Sequence, residues 1–237
     1  MLDPVVAIIA ALSAYLIGSI SFARLITRIF APDADVENVK IPSASGEGSM
    51  DLRAVGANTA SIILGPRLGC MIGWLDILKV TIPTLVFRLL YPDQPYLLIA
   101  AIFGMVGHNW PIYYKFKGGG GISALYGGFI VVDWLGALVC AIGGLIIGLG
   151  IVKDILIAFM SGAWLMIPWL WFRTHDPIYV GYAVIVNMIL ILALLPDIRH
   201  GIKNRKEGKL DMQASLQKIP MGREMLKIMD RLRLSKK

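Results

Sequence analysis

Successive apolar runs, most of them close to 20 residues long and parted by short turn signals, leave this chain few folds to choose from. An apolar helix of about 20 residues crosses a hydrocarbon layer of about 30 Å. Inside that layer each backbone amide needs a partner in its own segment, which a helix supplies. The runs are Pro4 to Leu25, Leu68 to Leu90, Tyr96 to Tyr114, Ile122 to Val132, Trp134 to Val152, Ile155 to Phe172 and Ile178 to Leu195. Pro92-Asp93-Gln94-Pro95, a glycine run, Lys153-Asp154 and His175-Asp176-Pro177 punctuate them. The expected fold is all-α: a polytopic membrane protein of seven transmembrane helices, with cytoplasmic loops forming its site. The fourth run is too short for a vertical crossing. Composition agrees, since 57% of the 237 residues are hydrophobic and 16% charged, against about 25% charged in soluble domains. No basic residue precedes the first run and no small-residue cleavage site follows it, so it reads as a span and not as a signal peptide.

The charges supply an orientation. With the N-terminus outside, the inner loops hold Arg24, Arg28, Lys40, Arg53, Arg67, Lys115, Lys117 and Lys153, and the outer loops only Arg88 and Arg173. Lysine and arginine collect on the cytoplasmic side of membrane proteins, so the C-terminal tail is expected in the cytoplasm. The net charge of +7 is explained by these borders, which removes the case for nucleic-acid binding. Composition changes after Pro196, dividing the chain into a membrane domain, 1–196, and a basic cytoplasmic tail, 197–237. Arg199, His200, Lys203, Arg205, Lys206 and Lys209 form a cluster suited to anionic lipid headgroups. From Leu216 onward, Ile219, Leu226, Met229 and Leu232 recur at helical spacing among basic residues, as in an amphipathic helix lying on a leaflet. The stretch Ile29 to Arg67 is too polar for lipid and too long for a plain connection, so it reads as a lid or second wall of a site, or as a linker.

Chemistry concentrates in GHNWPIYYKFKGGGGIS, Gly107 to Ser123. Glycines let the backbone approach a ligand and turn its N–H groups inward. Lys115 and Lys117 add positive charge at the rim, and a helix starting near Ile122 aims its first amides at the same spot. That pattern describes an anion cradle at a membrane surface; a flexible loop with interfacial aromatics and a positive-inside anchor fits it too. His108 can accept a proton or bond a phosphate, or else orient Trp110 and the loop, and Asn109 is a weaker candidate. Asp76 and Lys79, three apart on one helix, read as a mutually neutralising pair. Ser19 and Ser21 read as helix-backbone partners, and Asn187 as a helix-to-helix bond. Cys70 and Cys140 are far apart and apolar in setting, and no carboxylate or Cys/His cluster has metal-ligand spacing, so neither a disulfide framework, a metal nor a cofactor is expected.

Three stretches resemble the bacterial acyl-phosphate-dependent glycerol-3-phosphate acyltransferases, the PlsY family. AYLIGSISFARLI, Ala14 to Ile26, resembles that family's first span. DLRAVGAN, Asp51 to Asn58, with WLDILK, Trp74 to Lys79, resembles its first cytoplasmic motif and the start of its second span, and the resemblance gives Asp76 and Lys79 a structural or site-wall role. GHNWPIYYKFKGGGG resembles its glycine-rich phosphate-binding motif. The resemblance covers about Ala7 to His200 and leaves the tail outside.

The resemblance implies a protein of the bacterial inner membrane that moves a fatty acyl group from acyl phosphate to the 1-hydroxyl of glycerol 3-phosphate, giving lysophosphatidic acid. An acyl phosphate is an activated anhydride, so the protein's task is to hold two phosphates together and orient a hydroxyl. The resemblance assigns phosphate or substrate contact to Arg53, Asn58, Lys117, Gly118, Gly119, Gly120 and Gly121, with Lys115 additional and His200 within reach from the last span. His108 stands as the catalytic candidate. The first motif is about five residues shorter than the family's, Gly120 stands where the family has lysine, and the last motif is reduced to Arg199-His200. These departures frame a competing reading: a non-catalytic paralogue that binds a lipid phosphate or a partner protein. A channel or transporter comes third, because no inverted repeat is evident and few polar residues lie within the spans.

Overall fold

The computed structural model describes residues 2–42, 49–51, 54–152, 155–206, 223 and 227. The elements are α1 (Pro4–Gly18), α2 (Phe22–Phe30), β1 (Lys40–Pro42), β2 (Ser49–Asp51), α3 (Ala57–Leu64), α4 (Pro66–Leu90), α5 (Tyr96–Asn109), α6 (Ile122–Val132), α7 (Trp134–Leu145), α8 (Ile155–Thr174) and α9 (Pro177–Lys206). A 3-10 turn, Ile112–Tyr114, follows α5, and α7 continues as a π-helical stretch, Ile146–Val152. The one departure from helix among the described residues is a small antiparallel ribbon with Lys40 opposite Asp51 and Pro42 opposite Ser49.

The expectation of seven membrane-crossing helices is corrected to four. Among the described residues, Pro4–Phe30, Pro66–Leu90, Trp134–Val152 and Pro177–Pro196 are long and apolar enough to cross a bilayer. Two of the other three runs are too short. At 1.5 Å per residue, α5 with 14 residues is about 21 Å long and α6 with 11 about 16 Å. α8, Ile155–Thr174, is not among those four. The fold is an all-α multi-pass membrane bundle whose short helices pack among the long ones.

Lipid is written on its surface. Val5, Ile8, Ile9, Leu12 and Leu16 of α1 are all more than 40% exposed, a stripe no water-facing helix would carry. Inside, Met105, Leu125, Phe129, Met166, Leu170 and Leu190 are almost wholly buried and bring α5, α6, α8 and α9 into one core. Asn187 joins α9 to α8, its Nδ2 donating to the Ala163 carbonyl at 3.0 Å.

Cross-links fix the direction of the helices. Asp3 N–H donates to the Tyr96 hydroxyl at 2.6 Å where α1 and α5 both begin, and the Tyr15 hydroxyl donates to the Trp110 carbonyl at 2.9 Å where both end. A Cβ on Gly18 would run into the Gly104 carbonyl, and one on Gly107 into the Tyr15 carbonyl, so the two backbones are in contact. α4 runs the other way, its Phe87 packing with Ala10, Tyr96 and Ala100 near their starts. Arg88 donates to the Val131 carbonyl, tying the far ends of α4 and α6. At that same end Asp133 caps α7 through the Gly136 N–H at 2.8 Å and accepts from Trp169 Nε1 and Arg173 Nε, each at 3.3 Å. The ends of α1 and α5, the starts of α4 and α6 and the glycine run therefore share the opposite end of the bundle. α9 does not stop at Pro196 but carries Arg199 on to Lys206 as helix. The predicted amphipathic helix from Leu216 and the Lys153-Asp154 turn lie outside the described residues.

Candidate functional site

The site starts from a break in the first apolar helix. α1 ends at Gly18 and α2 begins at Phe22, with Ser19, Ile20 and Ser21 between them. Ser19 Oγ turns back to the Tyr15 carbonyl at 2.8 Å, and Ser21 caps α2 by accepting from the Arg24 N–H at 3.4 Å. The break frees the Ile20 carbonyl, which a continuous helix would have occupied. Lys79 of α4 takes it, with Nζ 2.7 Å away. The same ammonium lies 2.8 Å from Asp76 Oδ1, and both side chains are 4% exposed. His108, at the end of α5, places Nδ1 3.7 Å from that carboxylate oxygen, and Nδ1 has no hydrogen-bond partner.

The glycine run closes over this group. Gly119 N–H donates to the His108 carbonyl at 3.0 Å, and the Val55 N–H donates to the Gly118 carbonyl at 2.8 Å. The second bond makes the end of the long first loop a wall of the site. Ser19, Ser21, Val55, Asp76, Lys79, His108, Gly118 and Gly119 line one small polar pocket. Three of the four glycines, Gly118, Gly120 and Gly121, have N–H groups without an acceptor among the described residues. Gly121 takes φ of +85° and starts α6, whose first turn has no side-chain cap. Asn109, 4% exposed, sits against Gly121 with neither amide atom partnered. Unengaged donors from glycine amides and an uncapped helix start, a buried ammonium and an uncommitted imidazole suit an anion beside a group that can take a proton.

The predicted site residues divide. His108, Gly118 and Gly119 meet in the pocket; Gly120 and Gly121 follow in the chain but lie outside its lining, Gly120 against Leu194 and Gly121 against Asn109. Lys115 and Lys117 are exposed at the rim and outside the lining. Asn58 is exposed in the first turn of α3, where its carbonyl accepts from Ser61 Oγ at 2.7 Å. Arg53 lies outside the described residues, as does the side chain of His200, which α9 carries. Sequence reading gave the pocket's floor no contact with substrate: Asp76 and Lys79 read as a neutralising pair with a structural or site-wall role, and Ser19 and Ser21 as helix-backbone partners, whereas all four line the pocket. The signal was present in Gly18-Ser19-Ile20-Ser21 interrupting an apolar run, with a serine cap for a second helix. Arg24 was counted as a border charge. The structure gives its guanidinium bonds to Ser21, Glu37 and the Lys117 carbonyl.

Known proteins share this layout. The sequence model of the glycerol-3-phosphate acyltransferase family matches residues 8–206. The glycerol-3-phosphate acyltransferase of Pelagibacter ubique is 31% identical over 204 residues, covering 85% of this chain and 96% of that one. That of Campylobacter jejuni subsp. doylei is 31% identical over 198 residues, covering 78% and 90%. In three dimensions the chain is similar to the crystal structure of PlsY, an integral membrane glycerol 3-phosphate acyltransferase, in its lysophosphatidic acid form. The TM-score is 0.69 at 24% identity, over 86% of this chain and 94% of that one. The glycerol 3-phosphate form of PlsY gives a TM-score of 0.68 at 22% identity. With matches spanning the bundle, the broken first helix and the glycine run, this chain belongs to the glycerol-3-phosphate acyltransferase family.

Proposed function

We infer that this chain transfers a fatty acyl group from acyl phosphate to glycerol 3-phosphate, giving lysophosphatidic acid for phospholipid synthesis. It is a multi-pass protein of the bacterial inner membrane. The hydroxyl oxygen of glycerol 3-phosphate forms the new ester bond to the acyl carbon, the acyl–phosphate C–O bond breaks, and inorganic phosphate leaves with the electron pair. Family membership and one observation carry this reading: Gly118, whose N–H is unengaged, lines the pocket that holds Lys79, Ser19, Ser21 and His108, and the unengaged N–H groups of Gly120 and Gly121 follow it in the chain. Fixed donors of this kind favour a phosphate and the negative charge that grows on the carbonyl oxygen.

The residues take the following roles. The glycine amides with Lys79 hold phosphate, and His108, whose Nε2 edge faces Gly119, accepts the hydroxyl proton. Lys115 and Lys117 set the field at the rim. Arg53, Asn58 and His200 act from the first loop, the start of α3 and the inner end of α9. The acyl chain remains among the lipid-facing helices while its head group enters from the membrane border. The N-terminus, at the far end where α1 starts, lies outside, and α9, which starts at that same end just after Arg173, carries the C-terminal tail to the cytoplasmic end. Supporting this orientation, the site end of the bundle carries Arg24, Arg28, Arg67, Lys115 and Lys117, and the far end Arg88 and Arg173.

Purified protein in detergent, given palmitoyl phosphate and labelled glycerol 3-phosphate, makes labelled lysophosphatidic acid; palmitoyl-CoA in place of palmitoyl phosphate gives none. The competing reading of a phosphate binder without chemistry draws on Gly120 standing where the family motif has lysine. It predicts bound glycerol 3-phosphate and no product, and that outcome would replace the enzyme reading.

A further inference from the structure

Arg24 sits in the first turn of α2, beside surface loops, yet its side chain is only 9% exposed. Nε donates to Glu37 Oε1 at 2.9 Å, Nη1 to Ser21 Oγ at 3.3 Å and Nη2 to the Lys117 carbonyl at 2.8 Å. The guanidinium carbon stands 4.5 Å from the centre of the Tyr114 ring. Three separate stretches meet on one side chain: the break in the first helix, the loop after α2, and the approach to the glycine run. The loop side is itself built. Asp35 accepts from the Glu37 N–H at 2.8 Å and from Asn38 Nδ2 at 2.6 Å, bonds that hold its carboxyl below the usual carboxylate range.

What Arg24 touches on the glycine side needs holding. Lys115 and Phe116 are consecutive non-glycine residues at φ of +51° and +60°. Side chains bearing a Cβ adopt that region only where their surroundings enforce it. Arg24 stacks on the residue before this pair and bonds the carbonyl of the residue after it, so it brackets the strained turn. Lys117 is in turn joined directly to Gly118, the first glycine of the cradle.

We propose that Arg24 is a positioning residue that pins the Lys115–Phe116 turn and thereby aims the free N–H groups of Gly118, Gly120 and Gly121 at the phosphate of the acceptor. The cradle half of the statement rests on the acyltransferase reading; the pin does not. Glu37 fixes the guanidinium plane by taking Nε, leaving the Nη atoms for Ser21 and the Lys117 carbonyl. Lysine cannot substitute, because one ammonium has no planar fork with which to serve three acceptors and stack on a ring.

Two readouts on the same detergent samples test it: amide hydrogen exchange over 114–121, and KM and kcat of acyl transfer from palmitoyl phosphate. Arg24→Gln speeds exchange in that segment and raises KM for glycerol 3-phosphate by about tenfold, the factor for losing one charge-assisted hydrogen bond. Arg24→Lys falls between Gln and the parent, and remains the test if Arg24→Gln does not purify as a folded protein. Glu37→Gln gives a smaller shift in the same direction. Unchanged exchange in the Arg24 variants overturns the pin. Faster exchange with unchanged KM overturns its link to phosphate binding, and so does an activity loss that only follows the folded fraction. If the parent protein forms no product, the acyltransferase reading fails, and the exchange readout alone decides the pin.

Discussion

His108 and Gly119 are separable only by what each substitution would do to the other. An ideal Cβ on Gly119 would collide with the His108 imidazole, and one on Gly118 with the His108 and Asn109 carbonyls. A Cβ on Gly120 would meet Leu194 Cδ2 at 3.2 Å, the end of a flexible side chain. Gly119→Ala therefore displaces the imidazole and lowers kcat/KM by about a hundredfold, the scale of a misplacement near 1 Å at a reacting centre. Gly120→Ala has a much smaller effect, because a rotamer change at Leu194 makes the room. Steady-state kinetics on both variants check the contrast, and equal losses would show that Gly119 does not act through His108. His108→Ala lowers kcat by about a hundredfold or more if it accepts the hydroxyl proton, with KM for glycerol 3-phosphate nearly unchanged. A loss confined to KM would assign it to phosphate binding instead. His108 and the glycines were legible because they fall within 14 residues of one another in sequence. Arg24 was not, since it reaches the site across the fold and on composition alone looks like a border charge; Lys79, half of a neutral pair on composition, was offered as a site wall only through the family resemblance.

At the scale of elements, the pocket depends on a helix that is not continuous. The break at Ser19–Ser21 was hidden in an apolar run that reads as one span, because its serines bond their own helix and its free carbonyl is met by a side chain 59 positions away. That makes the Asp76–Lys79 pair a structural joint between α1, α2 and α4. Asp76→Ala leaves a buried ammonium without its counter-charge and costs about 3–5 kcal/mol. Lys79→Met leaves the carboxylate and the Ile20 carbonyl without a donor and costs a similar amount. Asp76→Leu combined with Lys79→Met removes both charges, so the double variant unfolds at a higher temperature than Asp76→Ala alone. Thermal unfolding in detergent reads the order directly; a double variant as unstable as the sum of the singles would show that the pair is not coupled. The double variant still lacks the pocket's ammonium, so recovered stability is expected without recovered transfer. The overestimate of seven crossings has a related origin. A hydropathy run does not show where a helix ends, and α5 and α6 stop at Asn109 and Val132, well short of a full crossing.

For the molecule as a whole, the decisive asymmetry is between its two ends. Asp3, Tyr96, Arg88, Asp133 and Arg173 mark one end, and Arg24, Arg28, Lys115 and Lys117 mark the other, where the broken helix and the glycine run meet. Glycerol 3-phosphate is a charged, water-soluble acceptor, so a cradle for it works only on the side where that acceptor is made. Positive charge at the same end is the arrangement the cytoplasmic leaflet favours, and an electropositive rim also raises the local concentration of an anionic substrate. The two ends can be told apart in intact cells. In a background of Cys70→Ala and Cys140→Ala, a membrane-impermeant maleimide labels Asp93→Cys directly and Lys115→Cys only after the cells are permeabilised. Asp93 lies in the turn between α4 and α5, while Lys115 is exposed at the opposite end. The reverse pattern would put the glycine run outside, where neither the charge bias nor the supply of acceptor supports it. Arg24, Lys79 and the glycine amides would then need an anion of extracellular origin to explain why they gather there.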